Sequence, residues 1–128
     1  MKKYRILSIM LFAGLLFSFA CTKEGANGPT STSEIKGSVT YKTGDGVSHP
    51  TVNPIIHIAY NATAATTTYN DNEVGNADGT YSIKGLGIGD YYVTAEYTDT
   101  HGLHYTCAGA KVHLGNSTDA VTADFILQ

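Results

Sequence analysis

Residues 76–95, NADGTYSIKGLGIGDYYVTA, carry the clearest structural pattern in this sequence. Asp78-Gly79 is typical of a tight turn, because aspartate bonds to nearby backbone and glycine tolerates a positive φ. Apolar residues then alternate with polar ones on both sides of Gly89, which predicts two strands with one buried face each. The residues expected in the core are Tyr81, Ile83, Leu86, Tyr91, Val93 and Ala95.

From Glu34 onward the rest of the chain has the same character. Thr, Val, Ile and Tyr dominate, Gly and Asn/Asp interrupt the runs, and no window has a sustained helical period. Further strands are predicted over 35–41, 55–60, 66–69, 105–114 and 121–127, with a turn over 43–46 and a bulge at Gly109. About seven short strands with frequent turns favour an all-β fold, a single seven-stranded Greek-key β-sandwich.

The motif over 76–95 resembles the carboxypeptidase regulatory-like domains, which are related in fold to transthyretin and to repeats of collagen-binding adhesins. Their pattern is an Asp-x-Gly-x-Tyr-x-Ile strand, a Gly-Leu-x-x-Gly turn and a Tyr-x-Val-x-Ala strand. The residues that match are Asp78, Gly79, Tyr81, Leu86, Gly89, Tyr91 and Val93. The resemblance extends over 34–128 and implies a transthyretin-like sandwich. It implies no particular chemistry, because this fold serves adhesins, spacers and accessory domains alike.

The N-terminus has the pattern of a secretory signal. A basic start, Met1 to Arg5, precedes an apolar run that ends in Ser18-Phe19-Ala20-Cys21. A cysteine directly after such a junction resembles the lipobox of bacterial lipoproteins, in which the thiol receives a diacylglycerol. The predicted division is a lipoprotein signal peptide over 1–20, a Gly/Ser/Thr-rich tether over 21–33 and the sandwich over 34–128.

Composition excludes several classes of function. The chain after residue 20 has no arginine, and five lysines against eleven acidic residues give it a formal charge of −6. A chain of this kind lacks the basic surface that nucleic acids require. No Gly-x-Ser-x-Gly turn or comparable nucleophile motif is present, so we expect no enzyme and no cofactor.

Two groups of residues are candidate metal ligands. His101, His104 and Cys107 suit zinc or copper in chemistry, but the strand period sends His104 and Cys107 to opposite faces, so we expect no dedicated metal site. Oxygen donors around the predicted turn suit calcium, although they lack the spacing of a dedicated calcium loop. These donors are Asn70, Asp71, Asn72, Glu73, Asn76 and Asp78.

Tyrosines are the candidate contacts for a carbohydrate, since the sequence contains no tryptophan. The candidates are Tyr60, Tyr69, Tyr92 and Tyr105. Alternation places Tyr92 outside the sandwich, so truncation of Tyr92 is expected to cost little stability.

The sequence favours a non-catalytic lipoprotein module of the bacterial cell envelope. Its expected partners are the membrane, through the lipid anchor, and another envelope protein or a surface polymer, through strand edges or loops. The alternative is a binder of a small carbohydrate or a metal ion. Either membrane leaflet is compatible with this anchor.

Overall fold

The computed structural model describes residues 31–128, so the predicted signal peptide and Cys21 lie outside the described residues. The described chain is all-β and forms two five-stranded sheets. Its strands are β1 Ser33–Lys42, β2 Ser48–Pro50, β3 Ile55–Tyr60, β4 Asp71–Val74, β5 Thr80–Leu86, β6 Gly89–Thr98, β7 His104–Thr106, β8 Ala110–Leu114, β9 Ala120–Thr122 and β10 Phe125–Leu127. Over this part of the chain, no helix has the length and hydropathy needed to cross a bilayer.

The first sheet is assembled on β1. One edge of β1 pairs with β9 and then with β10, both parallel to it. The other edge pairs with β5 and then with β2, both antiparallel. β9 and β10 are one extended run with a single register along β1, and its regular pairing is interrupted at Ala123 and Asp124, although the Ala123 N–H still bonds to the Lys36 carbonyl.

Gly37 makes this interruption possible. A Cβ atom at position 37 would lie 2.0 Å from the carbonyl oxygen of Ala123, far inside van der Waals contact. Beside it, the carboxylate of Asp124 accepts a hydrogen bond of 2.8 Å from the backbone N–H of Ser38. The side chain therefore replaces the strand partner that Ser38 loses where β9 ends.

The second sheet is assembled on β6 in the same way. β3 pairs along one edge of β6 and carries β4 on its far side, and β7 and β8 follow one another along the other edge. Thr106 pairs with Glu96 and Ala110 with Val93, so three residues of one strand oppose two of β6. This is the bulge predicted at Gly109.

The core lies between the two sheets and contains the residues that alternation places there. Tyr81, Ile83, Leu86, Tyr91, Val93 and Ala95 are all buried. They pack with inward residues of the neighbouring strands, among them Ile35, Val39, Ile56, Ile58, Phe125 and Leu127. The predicted all-β sandwich is confirmed, and the predicted Greek-key connection of seven strands stays a prediction.

The motif turn adopts the predicted conformation. Gly79 has φ of 85°, and a Cβ there would lie 2.8 Å from the carbonyl oxygen of Val39. Asp78 accepts hydrogen bonds from the hydroxyl and the backbone N–H of Thr80, and these bonds lower the pKa of its carboxyl. The turn thus packs directly against β1.

The structure differs from the sequence analysis at three places. Residues 66–69 form no strand, and the strand that pairs with β3 lies further on, at β4. β2 was not predicted, because its three residues carry no alternation that a sequence pattern can register. Ser33, the last residue of the predicted tether, is fully buried at the start of β1, so the fold begins before the expected boundary at Glu34.

The predicted exposure of Tyr92 is also wrong. Tyr92 is 8 % exposed, and its hydroxyl accepts a hydrogen bond of 2.9 Å from the backbone N–H of Gly109. Its side chain does point to the outer face of the second sheet, as alternation requires. The bulge at Gly109 covers that part of the face, since a Cβ at Gly109 would lie 2.6 Å from the Tyr92 ring.

Gly37→Ala should lower the free energy of unfolding by about 1–3 kcal/mol, because the added methyl group overlaps the Ala123 carbonyl. Urea denaturation measures the change. Gly44→Ala is the matched control, since a Cβ at Gly44 meets nothing within 4 Å. Equal stability of the two variants would contradict the close approach of Gly37 to Ala123.

Tyr92→Ala should cost about 3–5 kcal/mol of stability, and Tyr92→Phe about 1–2 kcal/mol through the lost bond to Gly109. Thermal and urea unfolding measure both effects. Val74→Ala serves as the control, because Val74 is 69 % exposed at β4. If the Tyr92→Ala variant were as stable as this control, the Tyr92 side chain would be exposed, as alternation in the sequence predicted.

Candidate functional site

Two open hollows interrupt the surface of the described sandwich. The larger is about 560 Å³ and lies at one end, between the turn after β1 and the segment that leads into β7. We call it the end cleft, and it is lined by Lys42, Thr43, Gly44, Gly46, Leu103, His104, Tyr105 and Gln128. The second is about 520 Å³ and lies along the side, between β10 and the bulge that separates β7 from β8.

Aromatic rings support the end cleft from within. Tyr41 lies at the end of β1, with its ring centroid 4.7 Å from that of Tyr105 and 5.2 Å from that of Tyr97. The His49 ring lies 5.3 Å from Tyr41 on the other side. Tyr105 is buried, whereas Tyr41, Tyr97 and His49 keep part of their surface in water. The end of the sandwich is therefore closed by rings with solvent-facing edges.

The two walls of the end cleft are held by aspartates. Asp99 accepts backbone hydrogen bonds of 2.8 Å from His101 and 2.9 Å from Leu103, and these bonds lower the pKa of its carboxyl. Asp45 accepts a hydrogen bond of 3.1 Å from the backbone of Val47 in the opposite turn. Both loops are thereby fixed locally.

Apolar and polar groups meet inside the end cleft. Leu103 is 59 % exposed on one wall. The Tyr105 hydroxyl donates to Asp99 at 3.4 Å, and burial together with this carboxylate raises the pKa of the phenol. Polar residues complete the lining, among them Lys42, Thr43, His104 and Gln128. Such a surface can hold a ligand that is partly apolar and partly hydrogen-bonding.

The three predicted transition-metal ligands are not brought together. The His101 side chain is 85 % exposed, with Nδ1 3.8 Å from Asp99. His104 points to the outer face of the second sheet, while Cys107 packs against the core, with Sγ 3.7 Å from the Ala95 carbonyl oxygen. Across residues 31–128, no three His, Cys, Asp or Glu side chains form a metal-binding group.

The oxygen donors considered for calcium also turn to separate partners. The Tyr60 hydroxyl donates to Asp71 at 3.3 Å, and Asn72 bonds to the imidazole of His57. Asp78 and Asn76 both bond to Thr80 within their own turn. Asp71 and Asn72 thus bond across to β3, while Asn76 and Asp78 stabilise their own turn, as Asn/Asp-rich turns commonly do.

Glu96 has an imidazole on each side, a pairing that was not expected from the sequence. Its two carboxylate oxygens lie 3.4 Å from His57 Nε2 and 3.5 Å from His104 Nε2. His57 belongs to β3 and His104 to β7, so only the cross-strand register brings them to the same residue of β6. The sequence could indicate that each side chain points outward, but it could not give the register that brings the three residues together.

The candidate tyrosines differ in their access to ligand. Tyr60 and Tyr69 are half-buried, the first edge-on to Tyr91 and the second stacked on His57. Tyr92 and Tyr105 are buried. The sequence did not identify Leu103 or the turn over 43–46 as ligand contacts, although both belong to the walls of the end cleft.

Comparisons with known proteins identify the fold. No protein-family model and no curated protein sequence matches the chain. A crystal structure of a candidate carbohydrate-binding protein from Pseudomonas aeruginosa is similar, with a TM-score of 0.52 and 14 % identity over 77 % of this chain and 92 % of that chain. The major pilin subunit of Bacillus cereus is similar at a TM-score of 0.51 and 12 % identity, over 77 % of this chain. The match spans 30 % of the pilin chain. At these identities the shared property is the β-sandwich.

Proposed function

We propose that this chain is a non-catalytic binding module of the bacterial cell envelope, anchored through lipid on Cys21, which holds an envelope or surface polysaccharide in the end cleft. The observation that carries the proposal is the end cleft itself. It is open to solvent at about 560 Å³ and is supported by the Tyr41, Tyr97 and Tyr105 rings. A hollow that is open to solvent can admit part of a polymer whose remainder stays outside it.

The chemistry of the lining suits sugar rings. A sugar presents an apolar face of C–H groups and a rim of hydroxyls. The exposed Leu103 side chain offers contact for the apolar face. The polar residues Lys42, Thr43 and Gln128 belong to the same lining and can form hydrogen bonds with the hydroxyls. The binding is not built on charge, so it suits neutral as well as acidic polymers.

Two further observations support the proposal. The fold is shared with the Pseudomonas aeruginosa protein, which is itself described as a candidate carbohydrate-binding protein. The motif from Asp78 to Val93 resembles carboxypeptidase regulatory-like domains, whose fold serves adhesins, spacers and accessory domains. The lipobox-like Cys21 would keep such a module at the membrane surface where envelope polymers are found.

Cys21→Ser should move the protein from the membrane fraction to the soluble fraction, because the lipid attaches to this thiol. Fractionation of a bacterial host that expresses the full chain measures the distribution, and mass spectrometry detects the lipid. Cys107→Ser, which alters the other cysteine, should stay with the membrane. A Cys21→Ser protein with a cleaved signal that still sediments with membranes would contradict the anchor.

Leu103→Ala should weaken polysaccharide binding at least about fivefold, which corresponds to about 1 kcal/mol. Affinity electrophoresis through gels that contain purified envelope polysaccharides measures the retardation. Val74→Ala is the control, since Val74 is exposed on the distant strand β4. The proposal fails if no polysaccharide retards the wild type, or if Leu103→Ala is retarded as strongly as the wild type.

A further inference from the structure

The second hollow, which we call the edge groove, is a separate surface that shares only Gln128 with the end cleft. It is about 520 Å³ in volume and is lined by Thr106, Cys107, Ala108, Asp124, Phe125, Ile126 and Gln128. One wall is β10, the last strand of the first sheet. The other wall is the bulged segment between β7 and β8 of the second sheet. The edge groove is thus bounded by strand edges from both sheets.

A hydrogen-bonded ladder between these walls starts and then stops. Thr106 and Gln128 exchange both backbone hydrogen bonds, at 2.9 and 3.3 Å, which is the signature of an antiparallel pair. In such a ladder the next closely bonded pair lies two residues along each strand, here Ala108 opposite Ile126. That pair does not form. The two segments separate there, and the edge groove occupies the gap.

The backbone of Ile126 points into the gap. Val39 directs its N–H and C=O to the β5 and β2 edge of β1, where they bond Gly79 and Thr51. Thr40 therefore faces β10, and Leu127 faces back toward it, since polar groups alternate along a strand. Ile126 must then face away from β1, in the same direction as Gln128, which bonds to Thr106.

Ala108 lines the gap from the other wall. Thr106 faces β10, so Cys107 faces β6, where its carbonyl oxygen accepts a hydrogen bond of 3.2 Å from Thr94. Ala108 lies within the bulge, and no hydrogen bond to its backbone is found within residues 31–128. The bulge is fixed by the bond between Gly109 and Tyr92.

We propose that the edge groove binds an extended segment of a partner polypeptide, which adds to the edge of β10 at Ile126. An extended peptide presents N–H and C=O groups along one edge at the repeat of a strand, so it can pair with the outward-facing groups of Ile126 next to the Thr106–Gln128 pair. The side chain of Ile126 is 51 % exposed and offers an apolar contact to the guest. A flexible segment suits this site better than the edge of a second folded copy, because only about two ladder steps are open.

The test uses the full chain carrying Cys21→Ser, isotope-labelled and secreted, with the synthetic peptide acetyl-Thr-Val-Thr-Val-Thr-amide as the probe. Saturable amide shifts should appear at Ala108, Gly109 and Ile126. The same peptide with N-methylated backbone keeps its side chains but loses its donors, and it should bind at least about tenfold more weakly.

Ile126→Lys should weaken the peptide at least about tenfold, since a charged residue on an edge strand opposes strand addition. Val74→Lys is the matched control, because it places the same charge on the exposed edge strand β4. Ala108→Pro, which removes the donor on the opposite wall, gives a second test if Ile126→Lys does not fold.

Three results would overturn the proposal. The first is the absence of shifts at Ala108 and Ile126 at millimolar peptide, and the second is equal binding of the N-methylated peptide. The third is a concentration-dependent shift of the same amides without peptide, which would identify a second copy of the chain as the occupant. None of these results bears on polysaccharide binding, because the end cleft is lined by a different set of residues apart from Gln128.

Discussion

The contact between Gly37 and the Ala123 carbonyl is the constraint on which the first sheet depends. All the strands of that sheet that the structure describes are bonded to β1, and at Gly37 the parallel neighbour changes from β9 to β10. Any side chain at this position would push the Ala123 carbonyl away. The Ala123 N–H is bonded to the Lys36 carbonyl, and Asp124 is bonded to Ser38. A small displacement there would therefore disturb both halves of the last strand run, and with them Phe125 and Leu127 in the core.

A second interruption faces the first across the sandwich. The bulge over 107–109 interrupts the edge of the second sheet, and β10, which follows the break at Asp124, leaves the backbone of Ile126 on the open edge of the first sheet. Each interruption has a local cause in a glycine and a satisfied polar group. Hydrogen bonding between β10 and the bulged segment stops after the pair of Thr106 and Gln128. A sheet edge that is short, recessed and bordered by a bulge resists uncontrolled pairing between copies, yet remains accessible to a single extended chain.

The elements that the sequence predicted well are those with long, regular alternation. β5, β6 and β10 have the predicted buried faces because several apolar residues in each fix the register. Tyr92 was misplaced because alternation reports the face of a sheet and not what covers it, and its cover comes from a bulge seventeen residues away. The sequence also named His104 and Tyr105 but not Leu103 or the edge groove. The groove is formed by backbone groups that fail to pair, and side-chain patterns carry no record of them. The pairing of Glu96 with two histidines depends on register across three strands in the same way.

Amide hydrogen exchange at Ile126 and Leu127 tests this account most directly. These neighbours share the same strand, but Leu127 is directed to Thr40 of β1 and Ile126 to the edge groove. The account predicts strong protection at Leu127 and at Gln128, which bonds to Thr106, with exchange at Ile126 close to the rate of an unprotected amide. Protection of Ile126 equal to that of Leu127 would mean that the two sheets close over this edge. The groove would then not exist in solution, and the open strand edge on which the partner site rests would be contradicted.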